Sequence, residues 1–538
     1  MDKKYLGIIG IVLVICIAGA AIFLGGSSVE RNPDELVAAV GAHGGEPETG
    51  FDPIQGWGSS SGTESLVQST LLKRTGNMSL NNDLAESYSV SDDLKTYTVN
   101  IKDNVKFHDN TTLTAKDVAF TYNEAKESGA ACDLSSMENV TAINDTTVEF
   151  KLSDSDSTFI NKLCVLGIVP EASYNNESYG ENPIGSGPYK FVQWDKGQQA
   201  IFELNDDYYN EKPEFKKLTI LFLENDAAFA AAKNGEVDIA EVPLSYAKED
   251  ISNMSAIILD SVDARGISLP VVPNEGNTTE DGYAIGNNVT ADENIRKALN
   301  YGINRQDLID GPLNGQGNKS FDGIGSALPW SNDEAAIEDG DIEQAKQILK
   351  EGGWEDTDND GIVEKNGTKA TFKVFYPSED TTRQAIAISV AEQAKEFGIE
   401  IEAEGKSWDE IDSQKVSNGV VWGYASVDPS SLYHQYYGDF AGNGYDNPSY
   451  YNNSEVNQHM DQAMKSSEES SYSSWSQVSW DGSNGISPKG DAPWLWTVFV
   501  DYPYFVDNTL DISENTTTIQ PHGGDIFGNI YDWKRVNS

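Results

Sequence analysis

The sequence predicts an α/β protein built from mixed sheets, and three observations carry that prediction. The chain is 538 residues long with 38% apolar residues, enough for two or three packed units with real cores. Strand-like alternation and helix-like spacing interleave along most of its length. No repeat of fixed period runs through it, which argues against a solenoid or propeller.

Taken in order, Met1-Asp2-Lys3-Lys4 precedes an uncharged stretch from Tyr5 to Gly26, 22 residues long. At about 1.5 Å of rise per residue it would cross a bilayer core of roughly 30 Å. The two lysines place the short tail inside, so everything after Gly26 is expected outside the cell. Residues 1–28 are therefore expected to be a membrane anchor, the other reading being a signal peptide cleaved near Ala18-Gly19-Ala20. Cys16 lacks the small residue expected before a lipidated cysteine and is discounted. Residues 29–36, polar with Pro33, suit a tether.

Thr96–Ile101 and Thr147–Leu152 alternate with period two, and Leu218–Leu223 is a short apolar run of the kind that fills a buried strand. Thr114 with Asp117 opens a helix that carries Val118, Phe120, Tyr122 and Ala125. Asp341–Gly352 has Ile342, Ala345, Ile348 and Leu349 at helical spacing. Thr382–Phe397 is another helix, ended by Gly398 and leading into a strand at Ile399–Ala403. Ser466–Ser487 is Ser-rich, but Trp475 and Trp480 predict a packed irregular segment rather than a disordered linker.

Composition narrows the chemistry. With 37 Lys and Arg against 86 Asp and Glu the net charge is −49; nucleic acid is excluded as a partner by that field, since no basic run counters it. Only seven residues are Arg, so forked anion clamps are scarce. The five histidines, His43, His108, His434, His459 and His522, show no close metal-ligand spacing, and there is no GxSxG elbow or Walker loop. Gly185-Ser186-Gly187-Pro188 reads as a turn into a strand. Asp356-Thr357-Asp358-Asn359-Asp360-Gly361 matches the first half of a calcium loop, yet the twelfth position is Gly367 where Glu belongs. Residues 356–364 are therefore expected to form an acidic turn, empty or weakly calcium-binding, with Ile362-Val363 and Ala370–Phe375 read as strands. Twelve Asn-x-Ser/Thr sequons, from Asn77 to Asn515, would mark surface loops of a glycoprotein if glycosylation occurs. Outside the N-terminal run only Cys132 and Cys164 remain. A disulfide and two separate buried thiols are both open. Trp422 is singled out among 11 Trp and 24 Tyr because it ends the apolar Val420-Val421 and leads into a small-residue turn through Gly423, Tyr424, Ala425, Ser426, Val427, Asp428 and Pro429, the expected edge of a cleft.

These motifs also carry a resemblance. PIGSGPYKFVQW (183–194), NDDYYNEKPEFKKLTI (205–220) and AAAKNGEVDIA (230–240) resemble, in order and spacing, the extracytoplasmic solute-binding proteins of peptide and nickel ABC importers. VKFHDNTTLTAKDVAFTYN (105–123) is similar to that family's F-H-D-G-x-P-L-T-A-x-D-V signature, with Asn110 where Gly is usual. IRKALNYGINRQDLI (295–309) and WGYASVDP (422–429) extend the match, which spans roughly residues 37–538.

The resemblance implies a two-lobed, periplasmic-binding-protein-like (type II) fold, a protein that binds and is not an enzyme. Lobe one would be residues 37–267, with an extra subdomain at about 60–195. Lobe two would be 268–489, and 490–538 would return to lobe one. The chain would act as a monomer that captures a nickel chelate or short peptide outside the cell and delivers it to ABC permease subunits, with nickel as cargo and no resident cofactor. A surface hydrolase or an envelope adhesion protein is the alternative. Trp422, Tyr424 and Ser426 are expected to line the cleft. Arg265, just where the chain should enter lobe two, is expected as an anion contact, or else as an ion pair with Asp263. In the dipeptide-binding branch an Asp three residues after the Trp pairs with the ligand's ammonium; here that residue is Ala425. A nickel chelate is therefore expected ahead of a dipeptide, with His434 and His522 as candidate metal ligands.

Overall fold

The computed structural model describes residues 32–40, 46–56, 66–74, 79–512 and 526–536. The expected membrane run, His43 and His522 lie outside them, and among the described residues no helix is long and apolar enough to cross a membrane.

A seven-stranded sheet organises the first lobe. Its strands run in the order Met254–Leu259, Tyr502–Asp507, Ile239–Glu241, Glu35–Val40, Lys217–Phe222, Gln199–Leu204 and Tyr189–Asp195. Glu35–Val40 is parallel to both of its neighbours, and the rest pair antiparallel. Leu218 and Ile220 alternate into its core with Leu36, Phe202 and Tyr504, as the apolar run at 218–223 predicts.

Inserted in this lobe is a subdomain with an antiparallel sheet ordered Ala85–Val90, Thr96–Ile101, Thr147–Leu152, Met137–Asn144. The helix Ala115–Ser128 packs on it, burying Val118, Tyr122 and Ala125 against Val99, Val148 and Phe150. Thr114 and Asp117 form the expected reciprocal cap at its start. Asn110 replaces the usual Gly at φ +70°, a left-handed turn that Asn tolerates better than most side chains. The signature's histidine joins two of the recognised motifs. His108 Nδ1 accepts from the Gly185 N–H at 3.3 Å, and Nε2 donates to the Gly187 carbonyl at 3.1 Å. Burial of the imidazole lowers its pKa to about 4, so it serves there as a neutral brace.

The second lobe is a six-stranded sheet ordered Asn318–Lys319, Trp494–Phe499, Ala264–Ser268, Gly419–Tyr424, Thr371–Pro377, Glu400–Lys406. The helices Ile342–Glu351 and Thr381–Lys395 fall where helical spacing places them, capped by Asp341 and Asp380. Sheet membership changes at residues 260–263 and again at 500–501, earlier and later than the expected boundaries at 267/268 and 489/490. Ala264–Ser268 already pairs with Gly419–Tyr424, and the wholly buried Trp494–Phe499 is its other neighbour.

Two segments reverse their expected form. Ser467–Trp480 is not irregular: Glu468–Ser479 is a helix whose Ser471, Trp475, Val478 and Ser479 are buried, and serines on one face fit close against the core where larger residues would not. Ile362 and Val363 are not a strand; the hairpin there pairs Glu364–Lys365 with Thr368–Lys369. All ten sequon asparagines among the described residues are exposed.

Candidate functional site

The strands Thr371–Pro377, Glu400–Lys406 and Gly419–Tyr424 run parallel, so their carboxyl ends lie together. Open α/β sheets bind ligands in the crevice outside such ends. The helices Thr381–Lys395 and Trp408–Asp412 start at the same edge, the second capped by Ser407 and Glu410.

An aromatic wall stands there. Trp422 is only 5% exposed, its Nε1 donating to Ser268 Oγ at 2.9 Å. It backs Trp408 at a ring separation of 5.7 Å and Tyr445 at 6.0 Å, and these two, 38% and 52% exposed, carry the accessible surface. Tyr424 packs edge-on against Trp494 and Trp496, which stack on each other at 4.7 Å.

Two guanidiniums sit against this wall. A methyl group at Gly423 would lie 2.6 Å from Nη2 of Arg383 and 2.8 Å from Nη1 of Arg265, so glycine lets both guanidinium ends close on the strand, and a side chain there would push them aside. Arg265 is buried and bonded to Asp263, which also accepts from Tyr502 Oη at 2.5 Å. This is the intramolecular pair weighed for Arg265 from the sequence. Burial works against the Arg265 charge, and Asp263 more than offsets it. Arg383 lies beneath the Trp408 ring at 5.6 Å. Burial, then the neighbouring Arg265, depress its pKa. Arg383 Nε lies 3.3 Å from Asp380 Oδ2, while the Nε of Arg265 is buried without a hydrogen-bond acceptor.

The turn after Tyr424 leads to a cavity of about 190 Å³ between the extra subdomain and lobe two. Arg74, Cys132, Asp133, Asn161, Lys162 and Cys164 face Ser426, Asp428, Ser430 and His434 across it. The turn is folded by Ser426, whose Oγ accepts from the Asp428 N–H at 3.0 Å and donates to the Asp428 carbonyl at 2.9 Å. Asp428 accepts from Lys162 Nζ at 2.5 Å and Asn161 Nδ2 at 3.2 Å. His434 lies between Asp133 and Asp446, with a ring nitrogen 3.2 Å from each. Those two carboxylates raise its pKa to about 9. At neutral pH the ring is then an imidazolium that donates from both nitrogens and has no lone pair for a metal. Cys132 and Cys164 line the same cavity and are not joined in a disulfide.

The expected site residues thus fall into two groups, Trp422, Tyr424 and Arg265 at the wall and Ser426 and His434 in the cavity. Sequence reasoning missed Trp408 and Arg383, although each stands at a helix start directly after a predicted strand. Lys162 gave no local signal. The acidic loop brings Asp356, Asp358 and Glu364 oxygens within 4.8 Å of one another. Its charge is met by Lys369, 2.9 Å from Asp358 and also paired with Asp360, while Asp356 accepts from the Asp360 and Gly361 N–H groups.

The family model for bacterial extracellular solute-binding proteins, family 5 (Middle), matches residues 79–444. Protein XP55 of Streptomyces lividans is 31% identical over 437 residues, covering 78% of this chain and 77% of that one. The structure of the oligopeptide-binding protein AppA of Bacillus subtilis with a nonapeptide matches with a TM-score of 0.69 at 26% identity, over 94% of this chain and 99% of that one. NikZ of Campylobacter jejuni, solved with Ni(L-His), shares the fold with a TM-score of 0.74 at 23% identity, over 94% and 100%. With two lobes joined by two crossings and a crevice between them, the chain belongs to the family 5 bacterial extracellular solute-binding proteins.

Proposed function

We propose that this chain is the substrate-binding subunit of an ABC importer at the outer face of the membrane, and that its ligand is a compact solute, a nickel chelate ahead of a peptide. The wall at the carboxyl ends of the second lobe's parallel strands carries the ligand class: the exposed Trp408 and Tyr445 rings stand beside the Arg265 and Arg383 guanidiniums, a set that fits a solute with flat faces and carboxylates. Charge supports the choice within that class. Residue 425 is Ala, and Asp428, the carboxylate of the same turn, is already bonded to Lys162 and Asn161. A ligand ammonium buried here would lack its partner, at a cost of several kcal/mol. The Arg265 and Arg383 donors and the Trp408 and Tyr445 rings suit the carboxylates and flat faces of a chelator. The chelator would hold the metal, since His434 is occupied by Asp133 and Asp446.

Calorimetric titration with nickel, with nickel plus free histidine, and with a peptide mixture tests this. Saturable binding is expected for nickel with histidine; tight peptide binding with no nickel response overturns it. Deleting residues 1–28 is expected to yield a soluble, folded protein, and aggregation of that product while the full chain stays soluble would exclude the anchor.

A further inference from the structure

We infer that the Lys162–Asp428 pair is an internal latch, one that closes the cleft without any charge supplied by the ligand. Lys162 sits on the subdomain helix Phe159–Val165 and Asp428 in the turn of lobe two, 266 residues apart in sequence. Their side chains are 9% and 16% exposed, so the contact exists only while the lobes are together; separation would return both ions to water. The pair is also completed as a closed site should be. Asn161 Nδ2 and the Ser430 N–H serve the Asp428 carboxylate, at 3.2 and 2.9 Å, and Ser430 Oγ accepts from Lys162 at 3.2 Å. Burial opposes the Lys162 charge, and the Asp428 carboxylate more than offsets it. Further contacts cross the same seam. Arg74 lies 3.5 Å from Glu468, and the Ser157 N–H donates to the Met464 carbonyl at 3.0 Å.

A fully desolvated pair gains from attraction about what it loses in hydration, whereas a pair broken on one side is strongly unfavourable. Such a latch therefore poises closure rather than locking it. A single buried charge left behind would hold the lobes apart. The consequence for capture is that a neutral or anionic solute meets a cleft that can already close, because Asp428 takes its ammonium from Lys162. This inference rests on lobe closure and not on the identity of the solute.

The test is made on the ligand-free full chain, with fluorophores at exposed positions on the subdomain and on lobe two and single-molecule energy transfer reporting the closed fraction. Lys162→Met and Asp428→Asn are each expected to lower that fraction by roughly tenfold or more, and the exchanged pair Lys162→Asp with Asp428→Lys to restore most of it. A closed fraction unchanged in whichever single variant melts like the parent overturns the latch. So does an exchanged pair that folds but stays as open as the single variants. Neither outcome bears on the nickel titration, which has its own readout.

Discussion

The aromatic wall and the cavity are assembled in different ways. Trp422, Trp408, Tyr445, Arg265 and Arg383 all belong to lobe two and are held by its own sheet and helix starts. The cavity is divided between two bodies: Lys162, Asn161 and Asp133 come from one side, Asp428, Ser430 and His434 from the other. Under the proposed function, a wall of the first kind would exist before the ligand arrives and set what is recognised, and a seam of the second kind would form on closure and set whether the captured solute is kept.

Variants can separate the two. The largest effect is expected at the root of the wall. Asp263→Ala strands the buried Arg265 charge beside Arg383 and should cost about 3–5 kcal/mol of stability, read as a fall in the denaturant midpoint; a change below 1 kcal/mol would mean that Arg265 finds another partner. Next is Trp408→Ala, which removes an exposed ring and not a core one. Affinity should fall about tenfold, equivalent to about 1.4 kcal/mol, with the melting temperature little changed. Unaltered affinity would remove the wall from the binding site.

The seam should respond to pH where the wall does not. In the closed form Asp133 and Asp446 raise the His434 pKa to about 9. On opening Asp133 is lost and the pKa falls toward its ordinary value. The stabilisation of closure is therefore complete below about pH 6.5 and disappears as pH rises through about 9. Of the other groups facing this cavity, Lys162 has its pKa raised by the Asp428 carboxylate despite burial, and burial pushes the Cys132 thiol up to about 11; Arg74, Asp133 and Asp428 also face it. Affinity should decline roughly three- to tenfold between pH 7 and 9.5, and the decline should vanish in His434→Gln; an equal decline in the variant places the titration elsewhere.

The smallest effect is expected at the hinge. Asp501 is buried, and burial followed by the nearby Asp260 pushes its carboxyl up to about 7. A raised folded-state value favours the folded chain below the ordinary Asp value and loses that contribution as pH rises through 7. Asp501→Asn should therefore raise the melting temperature by about 1–3 °C at pH 8 and leave it nearly unchanged at pH 4. An equal shift at both values would point to packing instead.

What the sequence made legible follows the range of the interactions. The Thr114/Asp117 cap, the alternation at 96–101 and 147–152, and the helical spacing after Asp341 are set by residues within a few positions of one another. The helix at Glu468–Ser479 was hidden because its inner face is built largely of serine. Trp422 stood out because an apolar strand ends on it. Trp408 and Arg383 did not, since their neighbours are strands apart in sequence. The lobe boundaries shifted because Trp494–Phe499, apolar on both faces, is claimed by the second sheet. Lys162 and Asp428 lie beyond any local pattern, and only the fold brings them together.

The return of the chain through Tyr502–Asp507 also bears on biosynthesis. That strand lies between Met254–Leu259 and Ile239–Glu241 and is the bridge that attaches Met254–Leu259 to the sheet. It is made some 240 residues after its partner, which at 5–20 residues per second is about 12–50 s of synthesis. For that interval the nascent first lobe has an open edge at Ile239–Glu241 and a loose strand at Met254–Leu259. The lobe that begins first is finished last, and a chain truncated before residue 502 would carry that open edge permanently.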